Sequence, residues 1–124
     1  INQRVVTLVF SEFGRRVMET TGATAADAGT DHGAGGLMFA MGSRVRGGLA
    51  ADWPGCEPSK LVPKIPPANP NQGNLSVPTD FRSVYQSVFT EWLGGDSPET
   101  VLGGPTPAAL HRGDGQTGLF NPLT

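Results

Sequence analysis

The residues best suited to chemistry in this sequence are a carboxylic acid and an imidazole that stand side by side. Asp31 and His32 are flanked by Gly29 and Gly33, and another acid, Glu12, precedes them in the chain. Carboxylate oxygen and imidazole nitrogen both ligate divalent metals such as zinc. Glycines on either side let the backbone bend so that both side chains point at one ion. The pattern fits a metal site, although a bare Asp-His pair in a loop is more often a local hydrogen-bonded turn.

Glu12 is a candidate for a functional role because a predicted strand comes just before it and would position it. Residues 4–10 are apolar on both faces and rich in β-branched side chains, which predicts a strand buried in a parallel sheet. Ligands of open α/β sheets bind at the carboxyl ends of the strands, where Glu12 falls. A second interpretation is a surface pair between Glu12 and Arg15, which are three residues apart, as on a helix.

The rest of the chain divides by composition. Gly (18) and Pro (11) are unusually frequent in the 124 residues, which favours loops over regular elements. We predict a strand-loop-strand segment with the candidate metal site (1–53), a Pro-rich extended segment (54–79), a helical segment (80–104) and a Gly/Pro-rich tail (105–124). The second buried strand is predicted over 37–41. The clearest helix begins after Thr79 or Asp80 and ends at Gly94, because apolar residues recur at helical spacing between these points.

Several functional classes are disfavoured. A net charge of -2 gives no basic surface for nucleic acid, and no apolar run is long enough to span a membrane. The lone Cys56 excludes an internal disulfide framework. The triplet Arg112-Gly113-Asp114 is interpreted as chance composition. The sequence contains neither a glycine loop with a phosphate-binding lysine nor a serine-nucleophile elbow.

Taken together, three motifs resemble a known family. Residues 6–15 (VTLVFSEFGR), 29–33 (GTDHG) and 79–85 (TDFRSVY), followed by 101–104 (VLGG), are similar in content and order to the domain-of-unknown-function family 1501. That family is sulfatase-like and is grouped with the alkaline phosphatase superfamily. The resemblance covers nearly the whole chain and implies a loop-rich α/β fold, the C-terminal part of an alkaline-phosphatase-like sandwich with a mostly parallel sheet.

The resemblance also implies roles for individual residues. Glu12 and His32 would bind a divalent metal ion, which could be zinc, magnesium or calcium. Asp31 would be a second ligand or the residue that orients His32. Arg15 would face the anionic part of a substrate.

The resulting expectation is a C-terminal fragment of a metal-dependent phosphate or sulfate ester hydrolase, inactive alone because a nucleophile and further ligands are missing from these residues. The alternative is a non-catalytic structural or interaction subunit of a larger complex. Its long Pro-rich segment could wrap around a partner, with Trp53, Leu61, Val62 and Ile65 in the interface. In both cases the partner is the remainder of the same protein or another subunit. The resemblance alone suggests a periplasmic or otherwise exported protein.

Overall fold

The computed structural model describes residues 2–18, 29–62 and 73–122. The chain forms two compact units. The first contains residues 1–8, 40–52 and 78–124, and the second contains residues 9–39 and 53–77. Ile65, residues 19–28 of the strand-loop-strand segment and part of the Pro-rich segment lie outside the described residues.

The expected large parallel sheet is not what forms. The described ranges hold two sheets of two short antiparallel strands each, β1 (Thr7–Val9) with β4 (Phe39–Met41), and β2 (Gly14–Arg15) with β3 (His32–Gly33). The α/β prediction, the C-terminal part of an alkaline-phosphatase-like sandwich, is therefore wrong for these residues. An apolar β-branched run specifies extended backbone, but the number of strands that pair with it depends on distant segments.

The two strands predicted to be buried are also largely exposed. The run at 4–10 yields only three strand residues, and Val9 remains 46% exposed. The run at 37–41 yields β4, in which Phe39 is 59% exposed. Each strand has a single neighbour among the described residues, so no second layer covers its faces.

The helical segment of the first unit follows the sequence closely. Helix α1 spans Phe81–Ser87, continues as a π-helical turn at Val88–Trp92, and is followed by α2 at Pro98–Leu102. Asp80 caps α1, because its side chain accepts a hydrogen bond from the backbone N–H of Arg82 at 2.9 Å. Gly103 ends α2 in the left-handed conformation (φ 70°), which glycine adopts without a Cβ clash.

The core of the first unit comes from the Gly/Pro-rich tail. Leu110, Leu119 and Phe120 are the buried hydrophobic side chains of the described chain. Val84, Val88 and Trp92 from the helical segment pack against them, as do Val6, Val45, Ala50 and Ala51. The helical spacing therefore correctly marked packing residues, whereas nothing in the tail's composition marked their partners.

The Arg-Gly-Asp triplet has a structural role in this unit. Arg112 is buried, and its guanidinium donates to the carbonyl oxygens of Arg46 (3.3 Å) and Gly47 (2.7 Å) and to the carboxylate of Asp114 (3.3 Å). The hydrogen bond that Asp114 accepts from the backbone N–H of Gln116 lowers the pKa of Asp114 below its usual value of 3.8, and the hydrogen bond from the Arg112 side chain adds a smaller lowering. The triplet thus belongs to a turn that the buried Arg112 side chain anchors to the backbone at 46–47.

The second unit is held together mainly by backbone contacts. Asn74 is buried, and its side-chain oxygen accepts a hydrogen bond from the N–H of Ala34 (3.3 Å) while its carbonyl accepts one from Val62 (2.9 Å). The N–H of Val17 donates to the carbonyl of Gly73 at 2.8 Å. Three chain segments of this unit are thereby tied to the single stretch at 73–74.

None of the helices in the described ranges is long and apolar enough to cross a membrane.

Candidate functional site

The candidate site lies on the β2–β3 pair of the second unit. Antiparallel pairing places Gly14 opposite Gly33 and Arg15 opposite His32. The two motifs that the sequence singled out, 6–15 and 29–33, therefore meet as neighbouring strands. Glycine is required in this pairing, because a Cβ on Gly14 would overlap the carbonyl oxygen of Gly35. The close approach of the strands depends on residues without side chains.

His32 is exposed and is positioned by an aromatic neighbour. The ring of Phe13 stacks on the imidazole with 3.6 Å between centroids and 16° between planes. The guanidinium of Arg15, two residues after Phe13, lies 5.2 Å from the Phe13 centroid, within range of a cation–π interaction. Arg15 also donates to the carbonyl oxygen of Thr30 at 2.7 Å. Phe13 therefore contacts both predicted functional side chains, although the sequence reasoning assigned it no role.

Asp31 contacts an arginine rather than the imidazole beside it. Its carboxylate lies 2.9 Å from the Nη1 of Arg16, and its carbonyl accepts the N–H of Arg16 at 3.1 Å. The Arg16 side chain is only 11% exposed and that of Asp31 is 47% exposed. The buried Nε of Arg16 has no partner within the described part of the chain. Arg16 is a second residue that sequence reasoning missed, and its position next to Arg15 gave no signal that it alone faces inward.

Glu12 is exposed and stands at the start of this region. Its carboxylate accepts a weak hydrogen bond from the Ser11 hydroxyl at 3.4 Å. The surface pair with Arg15 that helical spacing allowed is not among the ion pairs found in the described ranges. The reason is local: Arg15 belongs to a strand and directs its guanidinium at Thr30.

These residues form only part of a metal-binding set. Across residues 2–18, 29–62 and 73–122, no three His, Cys, Asp or Glu side chains come together as a metal centre. The side chains of Glu12, Asp31 and His32 are of the types that bind a divalent ion. His32 is exposed, so a ligand can reach its imidazole. Among the described residues, however, Glu12, Asp31 and His32 do not come together as a metal centre.

Comparisons of the chain with family models, with curated proteins and with solved structures found no match. The functional argument therefore depends on the residues and geometry described above.

Proposed function

We propose that this chain contributes a histidine, carboxylates and an arginine to the divalent-metal site of an enzyme that hydrolyses phosphate or sulfate esters. The observation that carries the proposal is the β2–β3 register, which puts Arg15 directly opposite His32. An anion-binding guanidinium beside a candidate metal ligand is suited to stabilising the negative charge that develops in ester hydrolysis at phosphorus or sulfur. The motif resemblance to the sulfatase-like family supports the same chemistry.

Each side chain has a role within this proposal. His32 and Glu12 hold the metal ion, together with Asp31 when its carboxylate leaves Arg16. Phe13 fixes the plane of the His32 ring through stacking, and Arg16 pairs with the Asp31 carboxylate while no metal is bound. Arg15 binds the non-bridging oxygens of the ester. A divalent ion bound here would polarise the ester and stabilise the developing negative charge. The nucleophile and the remaining ligands come from outside the described residues.

Metal binding provides the direct test. The full chain, purified without chelators, would be dialysed against zinc, magnesium or calcium, and bound metal measured by elemental analysis. We expect His32→Ala to weaken metal binding at least about tenfold, the usual scale for loss of a ligand or its support. Glu12→Ala should also weaken it.

The chain supplies its own matched control, because it has two histidines. His111 is exposed and lies in the first unit. His111→Ala should bind metal as the unmodified chain does. Equal binding by all of these variants would refute the metal assignment.

An interaction subunit is the second candidate, and the exposed apolar surface favours it. Trp53 is 63% exposed, and Val62, Leu37 and Phe39 are also exposed. Large apolar side chains that form a patch on a protein surface mark sites of protein–protein contact. A partner, either the rest of the same protein or another subunit, would cover them whether or not the complex is an enzyme.

The two candidates differ in what the native assembly contains. The native mass of the protein isolated from its source, followed by metal analysis, separates them. A larger assembly that holds metal, and loses it in His32→Ala, supports the hydrolase. A larger assembly without metal, in which Trp53 is protected from solvent, supports the interaction subunit. Recovery in an exported or periplasmic fraction is expected for the hydrolase, because the resemblance implies that compartment.

A further inference from the structure

We propose a second anion-binding site in the first unit, in a depression that contains Arg44 and Arg46. This site shares no residue with the β2–β3 site, and the proposal does not depend on the proposed hydrolase function. The ligand is a small organic molecule with an oxyanion group, a carboxylate or a phosphate, next to an apolar portion. The argument starts from how the two arginines are held.

Arg44 is held rigidly by an aromatic ring and by neutral oxygens. Its guanidinium lies 4.8 Å from the centroid of the Trp92 ring. It donates to the carbonyl of Glu91 at 3.0 Å, and to the carbonyl of Asn121 at 3.2 Å from Nε and 3.0 Å from Nη2. An arginine fixed in this way loses little conformational entropy when it binds a ligand.

Arg46, which also lines the depression, is held by neutral oxygens in the same way. Its Nη1 donates to the side-chain oxygen of Gln116 at 2.8 Å and to the carbonyl of Thr117 at 3.0 Å. Its own backbone N–H donates to Leu119 at 2.9 Å, which fixes the start of the side chain. The acceptors of both guanidinium groups are therefore neutral.

The positive charge of the depression is not cancelled by a carboxylate. The ion pairs found among the described residues involve neither Arg44 nor Arg46. The acid in the lining is Glu91, and its Oε2 already accepts the backbone N–H groups of Leu119 (3.1 Å) and Phe120 (2.9 Å). Two fixed guanidinium groups and one carboxylate leave the lining with an excess of positive charge, so it attracts an anion.

The size and the remaining lining indicate what accompanies the anion. The depression has a volume of about 590 Å³, within the usual range for small-molecule sites. Phe120 and Pro122 contribute apolar surface to it. An inorganic ion would leave this surface uncovered, whereas an aryl or alkyl group attached to the oxyanion would pack against it. The favoured ligand therefore combines one oxyanion with one compact apolar group.

Calorimetric titration of the full chain tests the site with defined probes. Phenyl phosphate and benzoate carry the two oxyanions on the same ring, and benzyl alcohol is the neutral counterpart. We expect both anions to bind and the alcohol to bind at least about tenfold more weakly, the effect of losing a charge-assisted contact. Arg46→Gln should weaken the binding of both anions by a similar factor.

Two further variants make the test specific. Arg46→Lys keeps the charge but not the guanidinium fork, so its affinity should lie between those of the unmodified chain and Arg46→Gln. Arg15→Gln alters the β2–β3 site only, and should leave the affinity for benzoate unchanged. Phenyl phosphate is left out of this comparison, because a phosphate ester belongs to the substrate class proposed for the β2–β3 site. A loss in Arg15→Gln with no loss in Arg46→Gln would place the anion in the β2–β3 site and overturn this proposal.

The proposal also fails if benzyl alcohol binds as tightly as benzoate, or if neither anion binds the unmodified chain. These comparisons use the unmodified protein, so they decide the question even if Arg46→Gln does not fold. Circular dichroism identifies that case. Metal binding in His32→Ala is an independent measurement, and its result does not affect the outcome here.

Discussion

The two units of this chain are stabilised by different means. In the first unit, apolar side chains from the tail and the helical segment form a small core around Phe120. In the described part of the second unit the buried residues are Gly14, Gly35, Gly55, Gly73 and Asn74, so close backbone contact replaces a hydrophobic core. The candidate metal ligands belong to the second unit, where stability comes from glycine positions and hydrogen bonds.

The second unit, which lacks a hydrophobic core in its described part, also leaves large apolar side chains exposed. A unit that buries glycines gains little from the hydrophobic effect, because burial of apolar area is the main favourable contribution to folding. Trp53 and Phe39 of the second unit remain exposed in the chain by itself.

The largest effect is expected in the core of the first unit. Leu110 is 2% exposed and Leu49 is 84% exposed. We predict that Leu110→Ala lowers the free energy of unfolding by about 3 kcal/mol, since it removes buried contacts and leaves a cavity. The matched change Leu49→Ala should cost less than about 0.5 kcal/mol. Urea denaturation of both variants measures the difference, and equal losses would contradict the assignment of the core.

A comparable change in the second unit should act through the backbone. Gly14→Ala introduces a Cβ that overlaps the carbonyl oxygen of Gly35. We expect a cost of about 2 kcal/mol and a loss of amide protection in β2 and β3, because the strands must separate. Hydrogen exchange reports on these strands directly.

The control for this change is Gly29→Ala, since no described atom lies within 4 Å of the position that a Cβ on Gly29 would occupy. It should leave exchange in β2 and β3 unchanged. If Gly14→Ala also kept full protection, close backbone contact would not be what holds the second unit together.

A smaller effect is expected at the helix caps of the first unit. Asp80→Ala removes the side chain that caps α1 and should cost about 1 kcal/mol. Ser97 stands at the same position of α2 but makes no side-chain cap hydrogen bond. Ser97→Ala should therefore cost clearly less. Thermal denaturation of the two variants at neutral pH gives the comparison.

The Asp80 cap also predicts a pH dependence. The side-chain hydrogen bond from Arg82, and then the backbone one, lower the pKa of Asp80 below its usual value of 3.8. A lowered pKa in the folded chain means that the contribution is complete above 3.8 and is lost as the pH falls through the lower folded value. Unfolding measured between neutral pH and strong acid should show less acid destabilisation in Asp80→Ala. An identical acid dependence in both proteins would exclude this contribution.

The sequence predicted local features well where the signal was local. The spacing of apolar residues and the capping acid located α1. The Gly-flanked Asp31-His32 pair was predicted to lie in a loop, whereas His32 belongs to β3 and pairs with β2. The orientation of Arg16 towards Asp31 and the stacking of Phe13 on His32 were not predictable. Both depend on pairing between segments that are separated in the chain, and no periodic pattern encodes that pairing.

The sequence by itself determined the residue types available for chemistry, the helix boundaries near Asp80 and Gly94, and the loop-rich character that the glycines and prolines impose. Only the tertiary structure decided that β1 and β4 pair as short antiparallel strands, that the tail provides the core, and that Arg15 lies opposite His32. The physical reason is that helical spacing and caps act within a few residues. Strand pairing and burial depend on contacts between residues far apart in the chain, and the same local sequence is compatible with several such arrangements.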